Sequence, residues 1–262
     1  MAMKRIMSAL GCVACLTATA VAQEERAGPV ANPPVTNSVA VSKTNAVSST
    51  NAVSNTNAPT APGDAEKPDI KELIKLPAFT NSIGMFMVKI SDSLWAGKYE
   101  VTQEEYRKVA GSNPSQFQGD RNPVDSVSWN AAMSFCQKLT DIELKEEMLP
   151  EGFAYKLPTQ AQWESLAAGA DLKDAVTSAS SSRSGPSTVG SLGATGAGLH
   201  DIRGNVWEWC LDPQDKPFRV ARGAGWDTFF EVNLRPEFRW YGGPDEGKNM
   251  VGFRCLLVPA AD

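Results

Sequence analysis

All seven tryptophans of this 262-residue chain lie beyond residue 90, and that asymmetry decides where a core can form. The last ~190 residues are ample for a single packed domain. From Gln23 to about Lys67 the chain is Thr, Asn, Ser, Ala, Val and Pro, with near-repeats TNSV, TNAV, TNAV and TNAP starting at Thr36, Thr44, Thr50 and Thr56. A segment without aromatic or large aliphatic side chains cannot offset its chain entropy by burial. It reads as a disordered tether over residues 23–67, spanning roughly 35–40 Å root-mean-square, or as neutral spacer. One domain is expected over residues 68–262.

The opening MAMKRIMSALGCVACLTATAVAQEE has basic Lys4 and Arg5, an apolar run from Ile6 and the small-residue triplet Ala20-Val21-Ala22. That is the order of a cleaved secretory signal over residues 1–22, so an extracytoplasmic protein with no transmembrane segment in its mature chain is expected. A signal anchor is the alternative, although the apolar run falls short of the ~20 residues that span a bilayer. Cys12 and Cys15 lack a convincing lipobox. The formal charge of −5 and pI near 5.1 argue against nucleic acid, which needs a basic face. Removal of the signal leaves Cys136, Cys210 and Cys255, an odd count that in an oxidising compartment implies one bridge and one leftover thiol.

Caps and period place three helices. Thr102 with Glu105 makes a capping box before TQEEYRKVA, and Gly111 stops it. Ser128 caps WNAAMSFCQKLTDIE, where Trp129, Ala132, Cys136 and Leu139 recur at helical spacing. Thr159 with Gln162 opens QAQWESLAA, which closes at Gly169. Strands fit Phe86–Ile90, Leu94–Thr102 and Val251–Val258, the last alternating like a half-buried strand. The Ser-rich stretch Leu172–Ala197 reads as a mobile loop. By these elements the fold class is α+β and loop-rich.

Four motifs follow in order: KLPTQAQWE (Lys156–Glu164), GLHDIRGNVWEWC (Gly198–Cys210), VARGAGWD (Val220–Asp227) and GFRC (Gly252–Cys255). Together they resemble the formylglycine-generating enzyme family, also called sulfatase-modifying factors. The resemblance implies a C-type-lectin-like fold over roughly Leu76–Pro259. It also implies a Cys136–Cys255 disulfide, which would close a loop of about 120 residues and stabilise by up to ~4.7 kcal/mol; two buried thiols are the alternative. Cys210 is then left over, either inert or activated by a cation such as Arg203 or Arg222.

The resemblance further places calcium at Asp201, Gly204, Val206 and Glu208, two carboxylates and two main-chain carbonyls suiting a hard ion. An ordinary polar turn, with Asp201 capping Gly204 or Asn205 and Glu208 paired to an arginine, is the other reading. The family's second calcium sequence is missing from Leu172–Ala197. The family's oxidase carries a Cys-x-x-x-x-Cys pair shortly before GFRC, and here that stretch reads NLRPEFRW, Asn233–Trp240. Arg235 and Trp240 fall at the matching places, and neither can replace a thiolate holding Cu(I), so no copper and no catalytic residue are assigned.

His200 is the one histidine of the chain and stands where relatives carry an aromatic ring, so packing is its expected job. Arg222, Asp227, Arg235, Arg239 and Trp240, with Asp125, Glu237 and Arg254, are candidates to line a groove for a peptide, glycan or protein ligand; a rigidifying set of salt bridges is the other possibility. The tryptophans read first as core, then as a ligand platform. The leading functional expectation is an exported, non-oxidase ligand-binding or structural module. The rival is an enzyme, a formylglycine-type oxidase or another amino-acid- or peptide-modifying activity with a diverged site.

Overall fold

Each helix begins where the sequence supplies a cap. In the computed structural model, which describes residue 72 and residues 75–179, 183–211 and 217–260, helix α1 (Gln103–Ala110) opens on the reciprocal box between Thr102 and Glu105 and stops at Gly111, φ 75°. Helix α2 (Trp129–Lys145) is capped by the Ser128 hydroxyl and runs past Glu143 to Lys145. Helix α3 (Gln160–Ala167) opens on the Thr159–Gln162 box. The expected signal (1–22) and tether (23–67) lie outside the described residues. Among the described residues no helix is long and apolar enough to cross a membrane.

The strands are β1 (Ala78–Thr80), β2 (Phe86–Ser91), β3 (Leu94–Gly97), β4 (Phe153–Lys156), β5 (Trp207–Trp209), β6 (Arg219–Arg222), β7 (Trp240–Gly242), β8 (Val251–Gly252) and β9 (Leu256–Pro259). They form a five-stranded sheet in the order β1-β2-β3-β9-β4 and a four-stranded sheet in the order β7-β6-β5-β8. Every pairing is antiparallel except β5 with β8. Helices and short sheets joined by long connections make the α+β fold expected from the sequence.

Three expectations need correction. The strand read over Leu94–Thr102 ends at Gly97, because beyond it the chain turns inward and Glu100 leaves the sheet to bind another segment. The run Val251–Val258 is two strands in two sheets, β8 and β9, and all eight residues are buried, so the alternation of a half-buried strand is absent. Leu172–Ala197, read as a mobile loop, is pinned in its described parts: Ala175, Val176, Thr177 and Val189 are buried, and bridges join Val176 to Gly204 and Ala194 to His200.

Aromatic rings fill the centre. Phe135 stacks on Tyr106 at 5.4 Å and meets Phe253 edge-on at 5.3 Å, while Trp95 and Trp209 are fully buried in the same cluster. A second cluster gathers around Trp163 with Ala96, Leu199, Ile202 and Leu256. Burial of each such ring contributes about 1.5–3 kcal/mol, so the buried tryptophans are core first. His200 packs as expected, its ring 5.2 Å from that of Tyr99.

Candidate functional site

Between His200 and β5 the backbone passes through three left-handed residues, Asp201 (φ 55°), Gly204 (φ 87°) and Asn205 (φ 59°). At Gly204 a β-carbon would lie 2.6 Å from the main-chain nitrogen of Val176, so only glycine permits that approach. Asparagine tolerates the left-handed region better than most residues, and Asn205 is also held on three sides. Its Oδ1 accepts from the Ser187 amide at 2.9 Å, its Nδ2 donates to Glu100 at 2.6 Å, and its carbonyl accepts from the Trp226 amide at 2.7 Å. Glu100 accepts from the Val206 amide as well, at 3.0 Å, which clamps the curl against the end of β3.

A buried charge network lies under this curl. The Nε and Nη2 of Arg254 donate to Glu208 Oε1 at 3.1 and 2.7 Å, and Trp163 Nε1 donates to Glu208 Oε2 at 2.9 Å. Arg254 also donates to the carbonyls of Gly97 and His200. Glu100, Asp201 and Glu208 therefore lie in the field of one fully buried guanidinium. Burial, followed by Asp201 and Glu208, holds the Glu100 carboxyl well above its ordinary range. Asp201 and Glu208 are also raised, burial first.

Of the two carboxylates expected at a calcium ion, Asp201 alone keeps an oxygen open to a cation. Asp201 Oδ2 accepts from the Gly190 amide at 2.6 Å, but Oδ1 is buried with no hydrogen-bond partner. Asp201 lines a cavity of about 230 Å³ that Asp174 and Arg203 also border. A carboxylate has about four acceptor sites, and Glu208 fills its set with three contacts from Arg254 and one from Trp163, the arginine pairing read as the alternative to an ion. Among the described residues no three acidic, histidine or cysteine side chains are grouped so that they could hold a metal ion by themselves, so an ion here would depend on main-chain carbonyls, which hard cations accept.

Cys136 in α2 and Cys255 before β9 place their sulfurs 3.7 Å apart across 119 residues of chain, as buried thiols. Burial, then Cys136, pushes the Cys255 thiol well up. Cys210 is buried with its sulfur 3.8 Å from the Glu208 carbonyl. The two cations weighed as its activators are committed elsewhere: Arg203 donates to the carbonyls of Ala170 and Leu234, and Arg222 donates to Gln160, Glu164 and the Pro236 carbonyl.

The expected groove set divides. Arg222 is fully buried over the face of Trp163, 5.2 Å from the ring centroid, so it supports a surface from beneath and does not line one. Asp125 and Arg254 are fully buried too; Asp125 accepts from the amides of Gln116 and Phe117. Asp227, Arg235, Glu237 and Arg239 are exposed and Trp240 is half-buried. Arg239 shares Gln160 and Glu164 with Arg222, and Trp240 packs on Trp209 at 5.5 Å. Just before Arg235, Phe229 and Phe230 are 67% and 66% exposed and Val232 is 52% exposed.

The sequence profile of the sulfatase-modifying factor enzyme 1-like domain matches residues 60–258. The chain belongs to this family. Within it, the chain is 28% identical over 228 residues to the chaperone protein LppX of Paenibacillus barcinonensis, covering 63% of this chain and 81% of that protein. It is 28% identical over 171 residues to the inactive C-alpha-formylglycine-generating enzyme 2 of Mus musculus, covering 57% of this chain and 54% of that protein. The chain thus spans about half the length of the mouse relative. Among solved structures, Treponema denticola variable protein 1 superimposes with a TM-score of 0.54 at 24% identity, covering 70% of this chain and 94% of that one. PvdO from Pseudomonas aeruginosa also gives 0.54, at 20% identity over 69% and 97% of the two chains. These likenesses establish the C-type-lectin-like fold of the sulfatase-modifying factor family.

The motif GLHDIRGNVWEWC builds the curl and β5 of this site. Glu100, the residue that clamps the curl, was not singled out from the sequence. Its one signal was a carboxylate set among the apolar and aromatic residues of LWAGKYEV, just before a helix cap.

Proposed function

We propose that this chain is an exported, non-oxidase member of the family whose lectin-like domain binds a ligand or stabilises an assembly. The observation that carries the reading is that Asn233–Trp240 holds no cysteine; on the resemblance to the family, Arg235 and Trp240 take the places of the oxidase's two cysteines. Arg235 brings a fixed charge, and Trp240 fills volume against Trp209. A two-sulfur copper(I) centre needs two thiolates, whereas Cys136 and Cys255 lie against each other and Cys210 is buried beside β5. Relatives whose names are those of a chaperone and an inactive enzyme support the same reading. So does the apolar ridge of Phe229, Phe230 and Val232 beside Arg235, since exposed apolar patches mark contact surfaces.

The reading includes a calcium ion held by Asp201 and Glu208 with the carbonyls of Gly204 and Val206, supplying positive charge to the buried carboxylates. It also includes a Cys136–Cys255 bridge formed in an oxidising compartment. The test of the central claim is incubation of purified, copper-loaded protein with a sulfatase-motif peptide under oxygen, followed by mass spectrometry. The peptide's cysteine is expected to remain unchanged. Turnover that is lost in Cys210→Ser would overturn the reading and make Cys210 catalytic.

A further inference from the structure

The segment between β6 and β7 holds apolar side chains out of the core. Phe229 and Phe230 are two-thirds exposed, their rings edge-on to each other at 5.5 Å, and Val232 is half exposed. The backbone that carries them is pinned on both sides. Before the rings, buried Thr228 accepts from the Gly225 amide through its hydroxyl and from the Ala179 amide through its carbonyl. After them, buried Leu234 packs into the main core, and its carbonyl accepts from Arg203. The Pro236 carbonyl accepts from the fully buried Arg222. Rings held out on a fixed backbone lose little freedom on contact, which is how a binding anchor is preorganised.

Three kinds of partner can cover such a ridge, and its charges choose among them. Glu231 stands between Phe230 and Val232, and Arg235 caps the far end of the same 3₁₀ turn, Glu231–Leu234. Both are exposed, and neither forms an ion pair among the described residues. Arg239 is already shared with Glu164, while Asp227 and Glu237 add exposed negative charge. A lipid surface calls for a basic surround, and this one is not basic. A peptide lays its side chains into a groove, whereas rings two-thirds free are themselves the side chains to be received. A second copy of the chain meets both conditions. A two-fold axis sets a surface against itself, so a ridge with a negative charge among its rings and a positive charge at its far end meets the opposite sign at each place when it lies antiparallel on its copy.

We propose that the ridge is a two-fold contact between two copies of this chain, ring against ring, with each copy's Glu231 facing the other's Arg235. It rests on the reading of the domain as a non-oxidase module that stabilises an assembly, yet the two fail separately, because a chain that stays monomeric leaves the copper and peptide assay untouched. The rings and Val232 present roughly 300–400 Å² of apolar surface per copy, so the interface falls at the small end, with a Kd of about 1–100 μM. Sedimentation equilibrium of the full chain from about 1 to 500 μM is expected to show a reversible monomer–dimer transition. The double variant Phe229→Ser, Phe230→Ser is expected to stay monomeric throughout, with the melting temperature of the dilute protein unchanged. Arg235→Glu alone is expected to weaken dimerisation about tenfold, and Glu231→Arg added to it to restore the dimer. A monomer at every concentration, a dimer that survives loss of both rings, or a charge swap that restores nothing would each overturn the proposal. So would co-sedimentation of the monomer with phosphatidylcholine–phosphatidylglycerol vesicles that the two serines abolish, which would make the ridge a lipid contact.

Discussion

At the residue scale, Asp201 and Glu208 divide one task unequally. Glu208 is held by Arg254 and Trp163 from within the core, while Asp201 keeps a buried oxygen without a donor. An ion bound by the folded state alone stabilises by mass action, so calcium added to chelator-stripped protein is expected to raise the melting temperature. Asp201→Asn should abolish most of that increment, because it removes the unpartnered anionic oxygen, without the loss of folding expected from breaking a buried pair, about 3–5 kcal/mol. Scanning calorimetry with and without calcium reads both effects. An unchanged response in Asp201→Asn would move the ion elsewhere.

At the scale of elements, α2 and the segment before β9 are brought together by Cys136 and Cys255, whose sulfurs are 3.7 Å apart. Closing that contact constrains the unfolded chain, so protein isolated from an oxidising compartment should resist urea more than reduced protein, by up to ~4.7 kcal/mol on the chain-entropy model. Non-reducing peptide mapping should find Cys136 joined to Cys255, with Cys210 alkylated only after unfolding. A bridge that includes Cys210 would contradict this pairing.

The helices were legible because their starts are local chemistry: Thr102 with Glu105, Ser128, and Thr159 with Gln162 all cap as their spacing implies. The strands were less so. Val251–Val258 reads as one alternating strand, and nothing local says that Phe253–Cys255 is a crossover between two sheets with both faces covered. Arg222 looked like a surface arginine because charge suggests solvent. Its burial is set by Gln160, Trp163, Glu164 and the Pro236 carbonyl, partners 14 to 62 residues away that only the fold assembles. The long connection after Leu172 looks mobile by composition, yet Gly204, lacking a β-carbon, lets Val176 of that connection approach it backbone to backbone.

At the scale of the whole molecule, buried acids set how stability responds to pH. Glu100, Glu105, Glu143, Asp201 and Glu208 are all pushed upward, first by burial. For such groups the folded chain holds its protons more tightly than the unfolded chain. Their contribution is therefore full below the ordinary carboxylate range and is lost as pH rises through the raised folded values. In chelator, the urea midpoint is expected to be higher near about pH 5 than near about pH 8. Glu143→Gln should flatten that slope, since its amide oxygen can still accept from Ser82 and no longer ionises. A slope unchanged in Glu143→Gln would show that this carboxyl titrates freely.

The strand order β1-β2-β3-β9-β4 has a consequence for synthesis. Residues 256–259 lie between β3 and β4 in the larger sheet, so β3 and β4 each wait with an open edge until β9 has been made. Pairings that distant in sequence form slowly, and open edges invite association with other chains. A nascent chain of this topology leaves the larger sheet unlocked until β9 slides between two strands made long before.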